Sequence, residues 1–70
     1  MRWQFLIVDS VNGQPITRIN AQNGKNALIK FKNKYALIGE YEIVQQEDSK
    51  NYGMKNPYGA SFVAIEEKPV

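Results

Sequence analysis

The chain has 70 residues, no Cys, no His and a formal net charge of +2, with 43% apolar and 11% aromatic content. That length allows one domain, and the composition suits a packed core while excluding disulfide staples and thiolate or imidazole metal sites. The missing His also removes the usual general base, so neither a cofactor nor a metal is expected, and stability must come from packing or association.

Residues 3–8 are rich in aromatic and β-branched types and read as a strand. Trp3, Phe5 and Ile7 lie on one face, Leu6 and Val8 on the other. Apolar residues on both faces suit a central strand, or one whose second face meets a partner. Trp3 fits core packing better than base stacking in such a strand. Asn12-Gly13 signals a hairpin with a tight primed turn. Pro15 lacks an N–H, so it belongs at the start or on the edge of the second strand, residues 16–21.

Asn23 has the chemistry of a helix N-cap, and Ala27, Leu28, Phe31, Tyr35 and Ile38 recur at helical spacing behind it. The spacing predicts a helix over residues 24–37, stopped by Gly39. Ile29 lies on its far face as a single exposed apolar residue. A third strand follows at residues 40–46, alternating Tyr41 and Ile43 with Glu42 and Val44. The last strand covers residues 61–67, where Phe62 and Ala64 oppose Val63 and Ile65. The expected fold is therefore α+β, ββαββ, an antiparallel four-stranded sheet with one helix on one face. A single helix leaves the other face either polar or apolar and occupied.

Residues 47–60 show no clear period and read as a long loop, which in a compact domain is usually functional. Asn56-Pro57-Tyr58-Gly59 has the residues of a β-turn. Tyr52, Met54, Lys55 and Tyr58 are the candidate partner-binding residues, with Lys50 beside them: two amphipathic anchors, an adaptable filler and flanking charge. The competing reading folds Tyr52 or Met54 back as a lid on the core.

Catalytic machinery is not visible. Ser10, Ser49 and Ser61 have no His to activate them. Glu66 and Glu67 are adjacent on a strand and point to opposite faces, while Glu40 and Glu42 read as solvated charge. Gly24-Lys25 lacks the rest of a phosphate-binding loop. A non-enzymatic, protein-binding module is the expected function. The alternative is a small nucleic-acid-binding domain using Lys25, Lys30, Lys32 and Lys34, with Tyr52 or Tyr58 stacking on bases. Charge gives that alternative some footing, because residues 1–37 carry six basic side chains against Asp9 alone, whereas residues 38–70 hold three lysines against six carboxylates. A homodimer formed by strand pairing or through the open sheet face is a third option. The longest apolar run near the N-terminus, residues 5–8, ends at Asp9 and is too short for a signal-peptide core or a membrane span, so a cytoplasmic location without membrane contact is expected.

Over residues 5–35 the pattern F-L-I-V, an Asn-Gly turn, P-I-T and A-x-N-G-K-N-A-L-I-K-F-x-N-K-Y resembles small phage- or prophage-encoded accessory proteins of low-GC Gram-positive bacteria. The resemblance implies an accessory role, such as a stoichiometric inhibitor of a host system, anti-CRISPR and other anti-defence proteins included. It assigns no residue a role.

Overall fold

Alternation of apolar residues on both faces does make the first strand central. In the computed structural model, which describes residues 1–35, 37, 39–46 and 51–70, the elements are β1 (Trp3–Asp9), β2 (Gln14–Ala21), α1 (Gly24–Lys34), β3 (Glu42–Gln45), β4 (Tyr52–Lys55) and β5 (Ser61–Pro69). They form one antiparallel sheet in the order β2-β1-β5-β4-β3. The α+β class with a single helix stands. The expected four strands are corrected to five, because Tyr52–Lys55, read as loop, is a strand between β3 and β5. Four residues with a glycine inside are too few to declare a period of two, and only the pairing on both sides reveals them. Among the described residues no helix is long and apolar enough to cross a membrane.

The core lies between α1 and one face of the sheet. Phe5 and Ile7 of β1, Ile19 and Ala21 of β2, and Met54 and Ala64 of β4 and β5 are buried against Ala27, Leu28 and Phe31. Trp3 packs at the margin of this cluster, as expected of a core residue rather than a free stacking surface. The register puts Ile43 opposite Met54, and Met54 opposite Phe62, so the short strands complete the floor under the helix.

Asn23 caps α1: its side-chain oxygen accepts from the Asn26 N–H at 2.8 Å. Replacing Asn23 by Ala should lower stability by about 1 kcal/mol, readable as a shift in urea midpoint without a change in slope. The helix ends at Lys34, three residues before the expected boundary, with Tyr35 as C-cap. The Leu37 N–H donates to the Lys32 carbonyl, 3.1 Å, and turns the chain away before Gly39, which has φ +102°. Tyr35 therefore lies outside the buried stripe, with its ring 4.9 Å from that of Phe31. Ile38, also expected in that stripe, is outside the described residues.

The β1–β2 connection is wider than a two-residue primed turn. Asp9 pairs with Gln14, and residues 10–13 form the loop. The Oδ1 atoms of Asp9 and Asn12 each accept a backbone N–H two residues on, both at 2.9 Å, and Gly13 takes the positive φ of 76°. Side-chain oxygens that supply the turn's bonds favour this larger closure. Pro15 does sit on an edge strand, beside a register shift between Ile7 and Val8.

Candidate functional site

Strand alternation divides the expected partner-binding residues. Tyr52 and Met54 face α1. Met54 is 1% exposed, and the Tyr52 ring lies against the helix start, so that a Cβ at Gly24 would stand 2.9 Å from Tyr52 Cδ1. Both are packing residues, which answers the choice between lid and binding loop in favour of the core at these two positions. Lys55 is exposed and faces away from the helix, opposite Glu42. Lys50 is outside the described residues.

Tyr58 alone of the expected anchors stands free, 92% exposed. Its loop, residues 56–60, is held by Asn56. That side-chain Oδ1 accepts from the Tyr58 N–H at 3.0 Å and from the Ala60 N–H at 2.9 Å, while the Asn56 N–H donates to the Ala60 carbonyl. Gly59 supplies φ +99°, a conformation that costs other residues strain. Asp9 is paired with Phe62 and Lys55 with Ser61, so the loop at residues 10–13 occupies the same end of the sheet. The two loops are tied there: the Ser10 hydroxyl bonds to that of Ser61 at 2.6 Å, and the Ser10 N–H donates to the Ser61 carbonyl at 3.0 Å. Val11, 69% exposed, is the second apolar side chain at this end. Beside Pro57, Tyr41 and Glu40 border a shallow recess of about 470 Å³. The end thus combines an aromatic anchor, an aliphatic neighbour and a recess on hydrogen-bonded loops.

The sheet face away from α1 carries the second feature. Val44, Gly53, Val63 and Val8 follow one another across four strands, and Leu6 pairs with Ile65 in the next row. Ile16 of β2, unpaired at the register shift, is a further exposed apolar residue. A depression of about 210 Å³ lies over Gly53, between Val44 and Val63. At the margin, Arg18 and Glu67 form an ion pair at 2.9 Å, and Gln4 donates to the same carboxylate at 2.8 Å. The Gln4 bond, then the Arg18 bond, hold the Glu67 carboxyl below the ordinary glutamate range. A lowered folded-state pKa stabilises the fold while the carboxyl is ionised, and that contribution disappears as pH falls through the lowered pKa. Acid titration of wild type against Glu67→Gln should therefore show a small excess loss of stability in wild type, confined to pH values below the ordinary glutamate range. Equal acid sensitivity would remove Glu67 from the account.

The four lysines of the nucleic-acid reading do not form one track. At about 100° per residue, Lys25 and Lys32 fall on one flank of α1, and Lys30 and Lys34 on the other. Lys30 donates to the Asn20 carbonyl at 2.8 Å, and Lys32 and Lys34 lie 5.7 and 5.9 Å from the ring centres of Tyr41 and Tyr35. Tyr52, one of the two proposed stacking rings, is packed on the helix. Among the described residues no three acidic side chains converge as a cation site.

Val11, Val44 and Gly53 were not singled out by sequence reasoning. Val44 sits in a visible alternation, whereas the depression at Gly53 exists only once β4 is placed between β3 and β5.

No family model, curated protein or solved structure matches the chain.

Proposed function

We propose that this chain is a non-enzymatic protein-binding module that acts by occluding a partner's surface, with the Tyr58 end of the sheet as its contact. The observation that carries the reading is the exposure of Tyr58 on a loop fixed by Asn56. A rigid, amphipathic ring brings large contact area at low entropic cost, and such residues dominate binding energy at interfaces. Val11 adds apolar area, and Lys55 stands at the rim. Occlusion is the mode of action left to a surface without an activated nucleophile or acid–base pair. The small phage-encoded accessory proteins that residues 5–35 resemble include stoichiometric inhibitors of host systems, a role that contact of this kind would serve.

The test is capture from a host extract by immobilised wild type, Tyr58→Ala and Ile29→Ala. Ile29 is an exposed apolar residue on the far side of the helix and serves as the control. A specific protein retained by wild type and Ile29→Ala but lost with Tyr58→Ala supports the reading. Equal retention by all three moves the contact elsewhere.

A further inference from the structure

We infer that the recess between Arg2 and Lys30 is a binding site for a phosphate monoester. The inference is independent of the Tyr58 contact. Arg2 precedes Trp3, at the opposite end of β1 from Asp9 and the tied loops.

The fold gathers the lining residues from three segments. Trp3 pairs with Ala21, so Arg2 and Gln22 leave the sheet as neighbours. The Val70 N–H donates to the Arg2 carbonyl at 2.9 Å and fixes the backbone from which the guanidinium reaches. On α1, Asn26 and Lys30 are one turn apart on one stripe, with Ile29 beside them. Arg2, Gln22, Asn26, Ile29 and Lys30 together line a recess of about 270 Å³.

This recess is positive and uncompensated. No carboxylate lines it, and residues 10–39 contain none. Among the described residues the one ion pair is Arg18 with Glu67, so the Arg2 guanidinium has no paired counter-charge. Lys30 donates to the Asn20 carbonyl at 2.8 Å, which anchors its ammonium and leaves two N–H groups. Among the described residues the side-chain amides of Gln22 and Asn26 have no hydrogen-bond partner. Asn26 is in the first turn of α1, where the helix end is positive and no acidic side chain offsets it. Two cations sharing one recess repel, and an anion between them reverses the sign of that interaction.

The charge and the donors select the anion. A phosphate monoester carries about −1.5 to −2 at neutral pH and three strong acceptor oxygens. Arg2 offers a planar fork, Lys30 a point charge and the two amides further N–H groups. A carboxylate, or a backbone diester of a nucleic acid, brings one negative charge and leaves one cation unmatched. Ile29, 39% exposed, supplies an apolar wall that suits the carbon side of an ester rather than free phosphate.

Amide NMR titration of the isotopically labelled full chain tests this, with phenyl phosphate, benzoate and inorganic phosphate as probes. Phenyl phosphate is expected to shift the Gln22 and Asn26 side-chain amides saturably, with a Kd of about 1 mM or lower, and benzoate to bind about tenfold more weakly. Arg2→Gln and Lys30→Gln should each weaken phenyl phosphate about tenfold, the loss of one charge-assisted contact. Lys34→Gln, one turn beyond the recess, should leave it unchanged. Ile29→Ala should weaken phenyl phosphate more than inorganic phosphate. A nucleoside 5′-monophosphate and phosphoserine separate the two sources of the group, a nucleotide and a modified side chain, by which of them displaces phenyl phosphate. Displacement by neither overturns the inference. So does the absence of a saturable shift below about 10 mM, or equal affinity for benzoate. Equal weakening by Lys34→Gln overturns it too, by showing diffuse attraction to the whole lysine-bearing helix.

Discussion

Met54→Ala is expected to cost about 2 to 5 kcal/mol, the range for deleting a buried methionine side chain and leaving a partly collapsed cavity. A domain of 70 residues has only about 4 to 10 kcal/mol in total. The variant should therefore keep only about half of that stability and melt roughly 15 to 25 °C below wild type. The large effect follows from position. Met54 is 1% exposed, lies between Ile43 and Phe62 in the register, and closes the core beneath α1. No cysteine offers a covalent reserve to offset the loss. Urea unfolding measures the effect as a fall in midpoint at unchanged slope. A cost within about 0.5 kcal/mol, the range of ordinary surface positions, would return Met54 to the surface.

Tyr58→Ala, four residues further on, should do the reverse. Its ring touches little within the chain, and the bonds that shape its loop come from Asn56 and the backbone. Stability should stay within about 0.5 kcal/mol of wild type. Partner affinity should fall by about 30-fold or more, equivalent to the roughly 2 kcal/mol that defines an interface hot spot. Competition between wild type and variant for the captured partner gives the ratio directly. Ratios near one would place the binding energy outside the loop. Lys55 is a rim charge, and its replacement should act more on association rate than on residence time.

These two predictions mark where the sequence was legible. Strong local signals carried over: the alternating β1, the Asn23 cap, the stripe of Ala27, Leu28 and Phe31, and the turn built on Asn56 and Gly59. Each depends on a few neighbouring residues. β4 was not legible, because Tyr52-Gly53-Met54-Lys55 becomes a strand through partners elsewhere in the chain: Val44 in β3 and Val63 in β5, both opposite Gly53. Without that strand Met54 and Tyr58 read as parts of one loop, although pairing sends one inward and leaves the other at the tip. The helix end also lies earlier than the spacing predicts. The bond from Leu37 to Lys32 closes α1 early, and apolar spacing alone continues past it. The second apolar face of β1 did anticipate an open apolar sheet face. It could not show that β3 and β4 extend that face or that Gly53 hollows it.

The proposed function rests on apolar contact between the Tyr58 end and another protein. Calorimetric titration of the captured partner at several salt concentrations and temperatures tests it most directly. Binding should show a negative heat-capacity change, from buried apolar surface, and an affinity that changes little with salt. A nucleic acid as the captured partner, with log affinity falling steeply against log salt, would contradict it and return the helix lysines to the centre.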